Sequence, residues 1–465
     1  MQKGEAFQKR FFMRVIVVGC GKVGKAILES MAEERHNIVA IDNNPDAVSY
    51  VSDTYDVMAV CGNATSREML IEAGVSKCDL FIAVTHSDEV NMLSCFLARK
   101  LGAKHTVARI RESEYNEEGL DFLCKQLDLS MPLNPEQLTA EALFDLLRLP
   151  SAVSVDTFAG KKIQILEMIL RENSPMVGVT LAELRKKSSV EFLACAVMRG
   201  EQTFIPNGPI CLQEDDRVAF MVKRSESDKF LKSLGLVQKQ GRDVMILGAS
   251  STAYYLSKIL AANNYSAKII EKNEERCREI AEILPGSTTI IHGDGMSQDV
   301  LWEEGIRSTN ALVALTGQDE ENILISFYAM SQDVPKAIAK VNRVEMAELA
   351  EKLGLDGIVS PQKIVADVLT RYARALNNSL DSQMETLYTV LDGDAEALEF
   401  KVFSDSKLIG IPLKDLKLKE NLIIAGIIRG KESIIPTGND AIEEGDRVIV
   451  VSTKSRLYHL SDVLR

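Results

Sequence analysis

Two rhythms alternate along the N-terminal quarter of the chain. Val15-Ile16-Val17-Val18 is a short β-branched run of the kind a fully buried strand needs. A glycine-rich turn follows. Apolar residues then recur at helical spacing (Val23, Ile27, Met31), and a second apolar run at 37–41 ends on Asp42. The alternation continues. Residues 45–55 read as a helix capped near Asn43 or Asn44, with Pro45 in its first turn. Strand-like runs lie at 56–60, 80–84 and 106–110, and helical stretches at 66–73 and 91–101 are closed by Gly74 and Gly102. Strands separated by helices of this length predict a parallel, doubly wound α/β sheet. Ligands of such sheets bind beyond the carboxyl ends of the strands. Gly21, Asp42, Asn63, Thr85 and Arg109 all fall at those ends, on one predicted rim.

The same pattern returns about 230 residues later. Gly19 is answered by Gly248, Asp42 by Glu271, Gly62-Asn63-Ala64 by Gly293-Asp294-Gly295, Thr85 by Thr316 and Arg109 by Lys340. Beyond each α/β half a proline opens an apolar-striped helix: NPEQLTAEALFDLLRLP at 134–150 and SPQKIVADVLTRYARAL at 360–376. The stripes Leu143-Leu146-Leu147 and Val365-Val368-Leu369 suit either an internal core or a helix packed across a subunit boundary. Each helix gives way to a lobe of about 80 residues with strand-like alternation, and Ile205-Pro206-Asn207-Gly208 matches Ile435-Pro436-Thr437-Gly438. The chain therefore reads as a tandem duplication, N1–C1–N2–C2. The expected boundaries are 1–12 for an N-terminal extension, 13–133 for N1, 134–150 for a linker helix and 151–235 for C1, then 241–359 for N2, 360–377 for a second linker helix and 378–465 for C2.

Gly19-Cys20-Gly21-Lys22-Val23-Gly24 fits G-x-G-x-x-G, and here a strand precedes it and a helix runs through it. Gly19 allows the tight turn, Gly21 lets a pyrophosphate approach the backbone, and Gly24 lets helix and strand pack closely. The helix N-terminus attracts phosphate charge. Asp42 stands where a carboxylate accepts from a ribose diol, and its charge favours NAD or adenosine phosphates over NADP. The alternative for Asp42 is a solvated cap of the next helix. Arg109 suits a phosphate as a charge-assisted donor, or an ion pair with Asp88 or Glu89. Asp88-Glu89 and Asp319-Glu320 suit helix N-termini. His86 lies at the rim with no Ser/His/Asp or Lys/Tyr set beside it, which leaves catalysis without a constellation. In the second half Ser250 and Ala253 replace the second and third glycines, so that pocket is expected to be altered.

Bulk properties narrow the partners. Lys+Arg 54 against Asp+Glu 67 gives a formal net charge of −13, which disfavours nucleic acid and direct adhesion to an anionic bilayer. No apolar run is long enough to span a membrane, and residues 1–12 lack the apolar region of a secretory signal. The eight cysteines show no CxxC pairing and lie mostly in apolar stretches, as small buried hydrophobes in a reducing cytoplasm. The five histidines are scattered, which argues against a metal cluster.

Taken together, GCGKVG with Asp42, AVTHSDEVNM, ARIR, the NPEQLTAE helix and the IPNG…EDDRV lobe, each with a counterpart in the second half, resemble the regulatory subunit of bacterial Trk potassium-uptake systems, the TrkA family. The resemblance covers residues 13–465. It implies two RCK modules, each a Rossmann-like N-lobe followed by a small α+β C-lobe. It also implies a non-enzymatic peripheral protein on the cytoplasmic face of the inner membrane. Such a protein is expected to form a homotetrameric ring beneath a membrane-embedded Trk-type potassium pore subunit, biased by NAD(H) and ATP or ADP. By position, the implied nucleotide residues are Gly19, Cys20, Gly21, Lys22, Val23, Gly24, Asp42, Asn63, Ala64, Thr85, His86 and Arg109 in N1. In N2 they are Gly248, Ser250, Ser251, Glu271, Asp294 and Thr316. Asn63 stands where many relatives have Asp. Two other readings use the same fold: an NAD-dependent oxidoreductase, and an RCK sensor ring of another potassium channel or potassium–proton antiporter.

Overall fold

A computed structural model describes residues 13–111, 117–149, 151–158, 162–236, 241–378, 384–453, 457 and 459–465; the expected N-terminal extension, 1–12, lies outside them. The chain divides into two compact units. The first holds the chain up to Thr139 with Ser360–Asn377, and the second holds Ala140–Val359 with Asn378–Arg465.

N1 runs β1 (Arg14–Val18), α1 (Lys22–Glu33), β2 (Asn37–Asp42), α2 (Pro45–Thr54), β3 (Met58–Cys61), α3 (Arg67–Glu72), β4 (Leu80–Ala83), α4 (Asp88–Lys100), β5 (His105–Arg109), α5 (Glu117–Leu127) and β6 (Met131–Leu133). Its six strands are ordered β3-β2-β1-β4-β5-β6, with every pairing parallel. The order reverses between β1 and β4, so the loops after those two strands flank the crevice where this sheet type binds ligands. The sequence pattern did not signal β6. It is only Met131-Pro132-Leu133, too short for a period and interrupted by proline, and its pairing with β5 is what makes it a strand.

The linker helix α6 (Pro135–Arg148) leads to C1, which holds β7 (Ser154–Phe158), β8 (Ile163–Ile169), α7 (Leu181–Lys187), β9 (Phe192–Arg199), β10 (Gln202–Phe204), β11 (Arg217–Lys223) and α8 (Ser227–Ser233). Its antiparallel sheet is ordered β10-β9-β11-β8-β7. N2 repeats N1 as β12 (Asp243–Leu247), α9 (Ser251–Ala262), β13 (Ser266–Glu271), α10 (Glu274–Ala281), β14 (Thr288–His292), α11 (Gln298–Glu303), β15 (Ala311–Ala314), α12 (Asp319–Ser331), β16 (Lys336–Lys340), α13 (Val344–Lys352) and β17 (Ile358–Val359). Its strand order is β14-β13-β12-β15-β16-β17. After α14 (Pro361–Asn378), C2 folds as β18 (Met384–Val390), β19 (Ala395–Lys401), β20 (Leu422–Arg429), β21 (Glu432–Ile434) and β22 (Arg447–Ser452). Its order, β18-β19-β22-β20-β21, is that of C1 read from the other edge. The architecture is thus α/β, with two doubly wound sheets and two small α+β lobes.

Within the second unit the sheets of C1 and C2 share one core, in which Phe158, Ile163, Ile165 and Met221 pack with Ala397, Ala425, Ile449 and Val451. The linker-helix stripes prove to be internal core of one chain. Val365, Leu369 and Ala373 of α14 pack on Ile27, Leu28 and Met31 of α1. Thr370 Oγ1 lies 2.7 Å from Ser30 Oγ, and Arg374 pairs with Glu34. In the second unit Leu143, Leu146 and Leu147 of α6 are buried, and Phe144 meets Tyr265 of N2 edge-on, with ring centroids 5.8 Å apart. The linker helix α14 therefore covers a nucleotide fold other than the one that precedes it in the chain, whereas α6 packs Leu138 on N1 and Phe144 on N2. The cysteine reading needs correction: Cys61 and Cys211 are exposed and Cys124 is half-buried, while the other five are buried.

Candidate nucleotide-binding site

The site is built where β1 turns into α1. Gly19 has φ +96, and a Cβ there would stand 2.9 Å from the Thr85 amide nitrogen, so the turn itself requires glycine. A Cβ on Gly24 would lie 1.8 Å from the Gly19 carbonyl oxygen, so close helix packing requires glycine too. Gly21 is different. Its φ of −70 suits any residue, and a Cβ there would meet nothing within 4 Å. It sits at the mouth of the 12-residue helix α1, where no side chain caps the first amides. Those N–H groups, on Lys22, Val23 and Gly24, open toward the rim, where the helix end attracts negative charge. Cys20 is buried, and burial together with neighbouring Asp42 pushes its thiol up to about 12, so it is an inert filler of the turn.

Asp42 ends β2 and ties two segments together. Its Oδ2 accepts from the Cys20 amide at 2.6 Å, and its Oδ1 accepts from the Asn44 amide at 2.9 Å. The cap of α2 is Asn44 rather than Asp42, since Asn44 Oδ1 accepts from Asp46 N with Pro45 opening the helix. A carboxylate has about four acceptor positions, so Asp42 retains capacity for a diol. Asn63 follows β3 and closes a tight turn by accepting from both the amide and the hydroxyl of Thr65; Ala64 beside it is buried. Thr85 follows β4, and its hydroxyl donates to Asn91 Oδ1 at 2.8 Å, which makes it a builder of the rim. His86 is exposed there.

Arg109 ends β5. Its guanidinium lies 4.0 Å from Glu136 at the start of α6, and Asp88 also acts on its charge. Among the described residues its buried Nε has no hydrogen-bond partner. Burial and the neighbouring Arg111 hold its pKa below the usual arginine value. A desolvated cation with an unused donor at the rim is suited to an anionic ligand. The acid pairs lie in the first turns of α4 and α12, as the sequence suggests, but they also hold the loops beyond the next strand. Ser87 caps α4, whereas Asp88, in the first turn, accepts from the Arg111 amide at 2.6 Å; Asp319 accepts from the Arg343 amide at 2.9 Å in the same way.

Two residues organise the rim that sequence reasoning passed over. Asn91, fully buried on α4, accepts from Thr85 N and Oγ1 and donates to the carbonyls of Thr85 and Arg109, so it clamps the ends of β4 and β5 together. Asn322 does the same for Thr316 and Lys340. The available signal was an asparagine that recurs at the repeat spacing, 91 and 322.

The N2 counterparts occupy the same places on their sheet. Gly248 has φ +93, and Glu271 accepts from the Ala249 and Asn273 amides at 2.7 and 2.8 Å. Asp294 accepts from Met296 N at 2.9 Å and lies 3.7 Å from Lys272 Nζ, while Lys340 Nζ donates to the Leu315 carbonyl. Ser250 and Ser251 open α9, with Ser250 as its cap. Among the described residues, no group of His, Cys, Asp or Glu is arranged to hold a metal ion. No helix among them is long and apolar enough to cross a membrane.

Comparison with known proteins agrees with this architecture. The TrkA-N domain matches residues 15–122 and 244–361, and the TrkA-C domain matches 165–235 and 397–465. The chain is 33% identical over 462 residues to the Trk system potassium uptake protein TrkA homolog of Archaeoglobus fulgidus, covering 97% of this chain and 100% of the relative. It is 30% identical over 458 residues to the Trk system potassium uptake protein TrkA of Vibrio alginolyticus, covering 97% and 98%. Among solved structures, the RCK domain of the GsuK protein superposes with a TM-score of 0.61 at 15% identity, covering 96% of this chain and 94% of that one. The GsuK channel bound to NAD also gives 0.61 at 15% identity, covering 96% and 78%. At that identity the likeness is one of fold.

Proposed function

This chain belongs to the TrkA family, and we propose that it is the nucleotide-sensing, non-catalytic regulatory subunit of a Trk-type potassium transporter. On this reading N1 binds NAD(H) or ATP/ADP, and the chain assembles as a ring, a homotetramer, against the cytoplasmic face of a membrane-embedded potassium pore. The observation that carries the nucleotide site is Gly21. The fold has no steric need for glycine there, so the open space at the mouth of an uncapped helix is explained by a ligand phosphate. Asp42 then takes the ribose hydroxyls, Arg109 and the α1 amides take phosphate charge, and Asn63, Ala64, Thr85 and His86 shape the rim. The names of the relatives, Trk system potassium uptake proteins, fit a regulatory rather than a catalytic role.

Ring assembly is supported by matched apolar surface. Leu93 on α4 and Phe122 on α5 are exposed, and so are their N2 counterparts Leu324 on α12 and Leu353 at the C-cap of α13. Such faces at equivalent places on both N-lobes suit contacts between copies. The mechanism is a shift of population. Ligands that prefer different ring shapes bias the pore by their difference in affinity, and a tenfold preference supplies about 1.4 kcal/mol per site.

The direct test is calorimetry with NADH and with ATP. Gly21→Ser should leave the unfolding free energy within about 0.5 kcal/mol of wild type, because the site is open and the backbone undemanding. It should weaken both ligands at least tenfold, as should Asp42→Ala. Unchanged affinity in both variants would remove the nucleotide from N1. Deleting the gene should impair growth at low potassium, and normal uptake without it would refute the transporter assignment.

A further inference from the structure

We propose that N2 is closed to dinucleotides by its own side chains, with Ser250 and Arg276 occupying the space that N1 leaves for a ligand, so that each chain carries a single nucleotide. The proposal rests on the reading of N1 given above for its reference state, and it concerns a different pocket.

The two turns have nearly the same backbone. Gly21 has φ −70 and ψ −167; Ser250, in the same place, has φ −75 and ψ 166. What differs is the side chain. The Ser250 hydroxyl turns inward and accepts from the Ala253 amide at 3.3 Å. It thereby satisfies one of the orphan N–H groups that a phosphate would otherwise take. The Ser250 methylene stands where a Cβ on Gly21 would meet nothing within 4 Å, in the space needed for close approach to the backbone.

The second obstruction comes from the opposite wall. In N1 the third residue after the capping Asn44 is Ala47, which packs into the lobe's core. In N2 the third residue after the capping Asn273 is Arg276. Its Nε donates to the Ala249 carbonyl at 2.9 Å, and its Nη1 pairs with Glu279 at 2.9 Å. Among the side chains of the described residues, the notch between glycine turn and acid is therefore spanned in N1 by Asp42, and in N2 by both Glu271 and Arg276. Ala253 adds a third change. A Cβ at the matching Gly24 would lie 1.8 Å from the Gly19 carbonyl, yet Ala253 is fully buried, so the β12–α9 turn must stand further from its helix. The acid, the buried Asn322 and the strand order all survive. Of the three motif glycines the copy keeps the one that shapes the turn, Gly248, and replaces both the one at the helix mouth and the one that packs on the strand.

The test is the stoichiometry of NADH, and separately of ATP, on the full chain by equilibrium dialysis. Wild type should bind one molecule per chain, and Asp42→Ala should abolish it. The double variant Ser250→Gly with Arg276→Ala should gain a second site, sensitive to Glu271→Ala; circular dichroism and the unfolding midpoint confirm that each variant folds. Two molecules per wild-type chain overturn the proposal, as does a single molecule that is lost with Glu271→Ala and retained in Asp42→Ala. A double variant that folds and gains nothing also overturns it, because Ser250 and Arg276 would then not be the barrier. If wild type binds nothing, the reading of N1 falls separately; a site appearing in the double variant still supports closure, and none appearing overturns it.

Discussion

N1 and N2 are two copies of one design that have drifted apart in one corner. Both carry a six-stranded parallel sheet in the same order, a positive-φ glycine after the first strand, an acid bonded to the turn, and a buried asparagine clamping the fourth and fifth strands. They part at the mouth of the first helix, uncapped at Gly21 and self-capped at Ser250. The lesson is that glycines in one motif have separable causes. Gly19 and Gly24 answer to backbone contacts inside the protein, whereas Gly21 answers to nothing in the protein at all. A duplicated chain exposes this, because the copy keeps glycine at the turn, Gly248, while serine fills the helix mouth and the sheet order is unchanged.

Four experiments sharpen or break the comparison. The largest effect is expected at Leu369, which lies in the second module's linker helix yet packs in the core of N1. Leu369→Ala should cost about 2–5 kcal/mol, and the loss should appear as faster hydrogen exchange in β1 and α1 of N1 rather than in N2. Loss confined to N2 would contradict the packing of α14 on N1. Next come Asn91→Leu and Asn322→Leu. Each strands buried partners at two strand ends, at about 1–3 kcal/mol per unsatisfied group, and the two should cost the same within about 1 kcal/mol in urea melts. A large inequality would show that the shared scaffold is not equivalent.

The glycine exchange is smaller and asymmetric. Gly24→Ala should destabilise by about 1–3 kcal/mol through overpacking against the Gly19 carbonyl. Ala253→Gly should cost no more than about 1 kcal/mol, the helix-interior difference between alanine and glycine. Equal costs would mean that the second turn has not moved away.

The smallest effect is in pH dependence. His105 opens β5 and Lys336 opens β16, at matched positions. Burial lowers the His105 pKa, aided by Arg99 and Lys104, and lowers that of Lys336 to about 8, where its Nζ donates to the Ala152 carbonyl. In each case the unfolded chain binds the proton more tightly, so stability rises with pH between the folded and unfolded values. For His105 that window ends near its ordinary 6.5; for Lys336 it runs from about 8 to 10.5. Urea midpoints between pH 5 and 10 should show both slopes. His105→Gln should remove only the acid one and Lys336→Met only the alkaline one.

Much of this was legible in the sequence because it is local. The β-branched runs, the glycine turn, the acid at the end of the second strand and the constant spacing of the repeat are short-range signals, and they fixed the α/β class, the duplication and the rim. What they left open depended on contacts distant in sequence. In sequence Asp42 suits a ribose acceptor or a helix cap, and only the folded chain shows it bonded to Cys20, 22 positions back. In sequence Arg109 suits a phosphate or an ion pair with Asp88 or Glu89; packing ties Asp88 to the Arg111 amide and places Glu136 near Arg109. The strand β6 has no period to read and exists through its neighbour. The apolar stripe of α14 declared that it would be buried but not against what, because an amphipathic face specifies only that water be excluded. That choice, with Arg276 reaching back to the Ala249 carbonyl, belonged to the tertiary structure, where the energy of a contact depends on what lies opposite.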